Sequence, residues 1–288
     1  LLVLTAGIIG TSTQWYSAVE ERNRAEAVKD FVTTMLSSVD PRSAKSMDKE
    51  LMLSVLSQAA DSVGKEFNNQ PLVEAEIRSV IGETYEALGM YKEAEPNLID
   101  ALEIRKNVLG DEHINTLISR NNMGSLLQSQ GDYDEASRQY QEVLETSRHL
   151  LGNEHDLTLN VINNIGSLLL DNGKYDEAIT YFKEALDTRR SLFGNEHPDT
   201  LISIGNLGVA FYLNDDYDDA MRYISEELEI SRRILGNEHP ETLISINNMA
   251  NLLQELDPEK ALQLYKEALG TRLRVLGEEH PRTLNSMN

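Results

Sequence analysis

Five histidines give the first suggestion of chemistry. His113, His155, His197, His239 and His280 each follow a glutamate and close nearly the same string: LGDEH, LGNEH, FGNEH, LGNEH and LGEEH. Imidazole and carboxylate together hold a metal when several converge on one ion. Here they come singly, at three intervals of 42 residues and one of 41. Neighbouring histidines therefore sit about a repeat apart and cannot share an ion, and no metal site is expected. The Pro-x-Thr after three of them (Pro198–Thr200, Pro240–Thr242, Pro281–Thr283) is helix-start chemistry, so the histidines read as parts of a loop.

A second candidate fails on pattern. The run Asn214-Asp215-Asp216-Tyr217-Asp218-Asp219 has the acidity of a calcium loop, without glycine at the sixth position and with Ser225 at the twelfth. Acids at the start of a helix already meet its positive end. Phosphate-loop, HExxH and GxSxG patterns are missing, and there is no cysteine for a thiolate site. No catalytic residue and no cofactor is expected.

The asparagines are stronger candidates, for binding rather than catalysis. Asn121, Ser125 and Gln128 stand at i, i+4 and i+7, which places them on one helix face. The face returns as Asn163, Ser167 and Leu170, then as Gly205, Val209 and Tyr212 beside Asn206, and then as Asn247, Asn251 and Gln254. Carboxamides in this line either bind the backbone of an extended partner or bond between neighbouring repeats. Val209, Tyr212, Leu213 and Leu170 give it a less polar centre, suited to an apolar or aromatic side chain.

The elements that position these residues follow from the period. A block of about 42 residues means a stacked array in which no repeat buries its apolar face alone. One position is Gly82, Gly124, Gly166, Gly208 and Ala250; a later one is Ala94, Ala136, Ala178 and Ala220; the next is Leu98, Tyr140, Phe182 and Ile224. Small residues let two helices approach, and large ones fill the space beside them. Gly89, Gly131 and Gly173 fall where a left-handed residue ends the first helix, with Asp215 as a tolerable substitute. Two departures predict looser packing: Glu227 stands where Ala185 and Ala268 do, and repeat five replaces its turn with Asp257-Pro258 and loses a residue.

This pattern resembles the tetratricopeptide repeat in its long form, as in kinesin light chains and their bacterial relatives. The segments ALEIRKNVLGDEHINTL at 101–117 and NNMGSLLQSQGDYDEA at 121–136 carry the likeness. It spans about 71–288, four repeats and a fifth with a defect. It implies an all-α, right-handed superhelical solenoid of antiparallel helix pairs, a non-enzymatic scaffold that takes a protein or peptide partner along its first helices. The face includes Asp171 and Glu255 but no lysine or arginine, which argues against capture of a terminal carboxylate or an acidic peptide.

Residues 18–70 read as an α-helical cap, with helices over Val19–Ser38 and Ser46–Phe67. Residues 1–17, opening LLVLTAGIIG and closing on Trp15-Tyr16, read as part of a membrane span or anchor. A tether to a membrane is expected, with a cytoplasmic protein as the alternative. The order of apolar segment, helical cap and repeats resembles the region after the membrane helix in bacterial serine/threonine kinases, which implies a sensor or docking tail in signalling. Self-assembly through the repeats is a further alternative. TLNSMN at 283–288 restarts the first-helix motif, so further repeats are expected. A net charge of −22 argues against nucleic acid and favours basic partners.

Overall fold

The computed structural model describes residues 49–276, and among them every element is an α-helix. They are α1 (Lys49–Glu66), α2 (Pro71–Ala87), α3 (Tyr91–Leu109), α4 (Ile114–Gln130), α5 (Tyr133–Leu151), α6 (Asp156–Asp171), α7 (Tyr175–Phe193), α8 (Pro198–Leu213), α9 (Tyr217–Ile234), α10 (Pro240–Leu256) and α11 (Pro258–Leu276). From α2 onward they come as consecutive pairs, the expected all-α repeat architecture. The apolar stretch 1–17, the helix expected over 19–38 and the restart at 283–288 lie outside the described residues. Among the described residues no helix is long and apolar enough to cross a membrane.

Within a pair, one left-handed residue makes the turn. Gly131 has φ 85° and ψ 9°. Asp132 N–H then reaches the Leu127 carbonyl at 2.9 Å, closing the helix end with a six-residue bond. Asp215 adopts φ 59° at the same place, and Asp216 N–H reaches the Phe211 carbonyl at 3.0 Å. Repeat five dispenses with the left-handed residue. Asp257, at φ −152°, ends α10 and starts α11, its Oδ1 accepting from Lys260 N–H at 3.3 Å. One residue fewer is needed, which accounts for the 41-residue interval.

Between pairs, the recurring string explains itself. Gly194 sits at φ 78°, ψ 177°, a region that side chains essentially exclude. The histidine that follows is the N-cap of the next helix. Nδ1 of His113, His155, His197 and His239 accepts from the N–H two residues on, at 3.1, 3.1, 3.3 and 3.2 Å. Each histidine thus satisfies one of the donors that a helix start leaves unpaired. His280 lies outside the described residues.

The chain divides into two compact bodies, one up to Gln139 and one from Tyr140. In the first, α1 lays Leu56, Ala59 and Val63 against a core that includes Val73, Ile77, Ile81, Tyr85 and Leu98. In the second, Phe182, Ile204, Leu207, Phe211, Ile224 and Ile246 form the centre of one apolar cluster. The repeat glycines are the tight points of both bodies. A Cβ on Gly82 would stand 2.6 Å from Leu98, on Gly166 2.7 Å from Phe182, and on Gly208 2.6 Å from Ile224. The fully buried Phe182 ring contributes about 1.5–3 kcal/mol by burial, and only a hydrogen on the facing helix leaves it room.

Surface ion pairs follow the same period in the second body. Arg148 pairs with Glu184, Arg190 with Glu226 at 2.6 Å, and Arg232 with Glu267 at 2.8 Å. Each joins the second helix of one repeat to that of the next. Singly such partly exposed pairs are worth about 0–1 kcal/mol, so they mark register more than they supply stability.

Two expectations follow. Gly166→Ala should lower stability by about 1–3 kcal/mol, the range for an overpacked core. Gly270→Ala, inside α11 with open space around its Cβ, should be neutral or stabilising by up to about 1 kcal/mol; paired thermal melts compare them. His155→Ala should cost about 0.5–2 kcal/mol and His155→Asn should restore most of it, and equal melting of the two variants would refute the capping role.

Candidate functional site

First helices of successive repeats lie side by side within each body: α2 against α4 in the first, and α6, α8 and α10 in sequence in the second. In the first body Asn121, Ser125 and Gln128 are all half-buried. The Ser125 hydroxyl donates to Glu86 at 2.7 Å, Ser129 donates to the same oxygen at 3.1 Å, and Asn122 donates to Glu83. Burial is the main cause that raises the Glu83 carboxyl above its ordinary range. These groups tie α4 to α2.

In the second body Asn163, Ser167, Leu170, Asn206, Val209, Tyr212 and Asn247 are half-buried, while Asn251 and Gln254 are exposed. Asn206 Nδ2 donates to Asn163 Oδ1 at 3.1 Å, linking α8 to α6. With its amide oxygen turned toward Arg272, Asn247 accepts from both guanidinium Nη atoms at 2.9 and 2.8 Å. Asn251 and Gln254 are brought together by the Tyr265 hydroxyl, 2.6 Å from Asn251 Oδ1 and 3.2 Å from Gln254 Oε1. Inter-repeat bonding, one of the two roles open to these carboxamides, is therefore realised at Asn163, Asn206 and Asn122.

Three features of the face do not stand out in the sequence. The first is a set of buried guanidiniums from the second helices. Arg105 reaches Ser79 at 3.0 Å, Ser119 at 2.7 Å and Glu76 at 2.5 Å. Arg189 reaches Ser203 at 2.6 Å and Asn160 at 2.6 Å, and burial lowers its pKa from the ordinary value. The face thus has no lysine or arginine of its own, yet cations lie beneath it. The register held the signal: Arg105, Ser147, Arg189, Ser231 and Arg272 occupy one repeat position, and Ser119, Val161, Ser203 and Ser245 another.

The second is Glu227. The looser packing expected there does not occur, because Gly205 makes room for it. Gly205 stands where Asn121, Asn163 and Asn247 do, and its Cβ would lie 3.0–3.2 Å from the Glu227 carboxylate. Glu227 is 8% exposed. Ser245 donates to Oε1 at 2.5 Å, while Oε2 has no hydrogen-bond partner among the described residues. Desolvation pushes the carboxyl up to about 7, Ser245 opposes that, and Glu241 adds to it.

The third is Tyr265. It stands where Ile224 does, in a repeat with Ala250 at the glycine position. Tyr265 is only half-buried, whereas Phe182, against Gly166, is fully buried. Its hydroxyl bonds the first-helix carboxamides. Tyr212 and Tyr217 lie nearby on α8 and α9, ring centroids 6.2 Å apart and tilted by 52°. Tyr217 donates to Asp215 Oδ1 at 3.0 Å, so that Asp215 serves turn and ring together. Asp216 caps α9 by accepting from Asp219 N–H at 3.4 Å, a use for the acidic run that involves no ion.

The sequence matches the tetratricopeptide repeat family over residues 73–149, 157–230 and 205–274, together well over half of the chain. The chain belongs to the tetratricopeptide repeat family. Solved structures resemble this tetratricopeptide array. A kinesin light chain-like repeat protein from Podosopora anserina is 22% identical, with TM-score 0.57, over 68% of this chain and 94% of the other. BtubC (BKLC) from P. vanneervenii is 21% identical, with TM-score 0.63, over 81% of this chain and 93% of the other. The apo form of RapI is 15% identical, with TM-score 0.63, over 86% and 84%. At these identities the likeness establishes the fold. No curated protein matches the sequence. The family is one of protein-interaction scaffolds, and this array shares their kinesin light chain-like form.

Glu227 gives the array a pH dependence of definite sign. Its carboxyl is raised in the folded state, so the fold holds the proton more tightly. The stability this contributes is full below about 4.5 and is lost as pH rises through about 7. Glu227→Gln should abolish that slope and raise stability above neutral pH, on the order of 2–3 kcal/mol. The difference in melting temperature between the two proteins across this range measures it, and a constant difference would disprove the buried charge.

Proposed function

We propose that this chain is a protein-interaction scaffold that binds an extended peptide, or an extended segment of a partner, along the first-helix face of its second body. The observation that supports this most directly is the apolar surface left uncovered on that face. Ile202 and Ile244, 42 residues apart on α8 and α10, are 46% and 38% exposed. Leu213 is 40% exposed, and Val209 and Tyr212 between them are half-buried. A line of large apolar side chains flanked by carboxamides suits a partner that inserts side chains and bonds its own backbone.

Asn163 and Asn206 bond each other and Asn247 bonds Arg272, so these groups hold the helices in register first. The partner's backbone meets the remaining capacity: a carboxamide has two donors and two acceptor sites, and one bond does not exhaust it. Asn251 and Gln254 are the most exposed of the set and retain their amino groups as donors. Peptide capture and inter-repeat bonding are therefore compatible at these residues.

A photo-crosslinking residue at Val209 tests this, with one at the exposed Thr180 on α7 as control. Partner adducts are expected from the Val209 protein alone. Adducts equal at the two sites would remove the preference for the first-helix face. Adducts consisting solely of a second copy of the chain would replace partner binding with self-assembly.

A further inference from the structure

The second body carries three tyrosines close to the same face, and their electrostatic surroundings have one sign. Asp215 accepts from the Tyr217 hydroxyl at 3.0 Å. That bond is the main cause raising the hydroxyl above its ordinary value, and Glu255 and Tyr212 push in the same direction. Tyr212 also acts on Tyr265. The charged groups that raise Tyr217 are both acids, Asp215 and Glu255.

Other rings of the body differ in this respect. Lys183 Nζ lies 4.9 Å from the Phe211 ring centroid, and Arg222 and Arg190 lie 4.4 and 6.0 Å from that of Tyr223. Where the chain's own cations reach an aromatic face, they occupy it. The arginines of the second helices are committed to Glu184, Glu226 and Glu267. Arg189 and Arg272 are committed to carboxamides beneath the face. At Tyr212 and Tyr217 there are aromatic faces and two exposed acids, Asp215 and Glu255.

A second observation lies on the same helix. Gly205, Val209 and Tyr212 stand at i, i+4 and i+7 of α8, and the first and last are about 10 Å apart along its axis. At the Gly205 end sits Glu227, more than nine-tenths buried, with Oε2 unpartnered among the described residues. No cation is among the charged groups that act on it. A buried carboxyl that holds its proton up to about 7 thus lies at one end of the stripe and two exposed acids lie at the other, on a chain whose net charge is −22.

We propose that the patch formed by Tyr212, Tyr217, Asp215 and Glu255 receives the cationic head of a lysine or arginine from the bound peptide, so that the partner of this array is a basic segment. The ring faces attract the cation through their quadrupoles, and the two carboxylates offset its lost hydration. The inference rests on the first-helix face being the peptide-binding face, and it adds the charge of the ligand.

A displayed library of short random peptides, selected on the full chain, separates the two statements. Enrichment of lysine and arginine is expected in the selected pool. That enrichment should be lost on selection against Asp215→Asn or Glu255→Gln, and a synthetic peptide from the wild-type pool should bind either variant about two- to fivefold more weakly. Asparagine tolerates the left-handed backbone at 215, and Glu255 is exposed, so both variants should melt like the parent. A neutral or acidic pool, or an unchanged basic pool with both variants, would overturn the basic-ligand inference while leaving peptide binding intact. A selection that enriches nothing would overturn the binding face itself, and the inference with it.

Discussion

Everything in this array depends on a missing side chain. In repeats one, three and four a glycine on the first helix lets Leu98, Phe182 or Ile224 of the second helix lie against bare backbone, at distances a Cβ could not share. The pair closes tightly enough to bury its large residues, and successive pairs stack on the surface so formed. Repeat five has Ala250 at the glycine position, and its Tyr265 is half-buried where Leu98, Phe182 and Ile224 are buried. From that position the Tyr265 hydroxyl bonds surface carboxamides.

The repeats share this packing and differ in their polar couplings. Arg105 has Ser119 to bond in the following repeat, and Arg189 has Ser203. Where the arginine gives way to Ser147, the later serine gives way to Val161, and Ser147 returns its hydroxyl to Leu144. Where Ser231 stands in place of arginine, Glu227 one turn earlier takes up Ser245. A buried polar group left without its partner costs about 1–3 kcal/mol, so each substitution is matched across the repeat boundary. Gly205 and Glu227 are matched in the same way, volume for volume.

Much of the fold was legible in the sequence because periodicity and turn chemistry are local. Gly131 and Asp215 announced left-handed turns, Asp257-Pro258 announced a shortened one, and Gly166 with Phe182 announced a close helix pair. The histidine string was recognisable as loop structure, although which atom caps which helix became clear only from the geometry. The candidate face was legible as a stripe, but its energetics were not. Whether Asn206 meets solvent or Asn163 depends on the rotation of neighbouring helices, which one repeat's spacing does not encode. Glu227 reads as a defect in the sequence because its compensation, Gly205, lies 22 residues away on another helix.

The matched polar couplings have a consequence for how such a chain can change. Apolar packing alone would let one repeat replace another, since glycine-against-aromatic is nearly the same contact each time. The arginine–serine and glutamate–serine pairs forbid that exchange: a duplicated or deleted block would bring a buried guanidinium against Val161 or leave a serine facing nothing. The array is thus a sentence with a fixed word order rather than a string of identical beads. Its repeats can drift at the exposed face, where the partner is chosen, while their sequence along the axis stays locked.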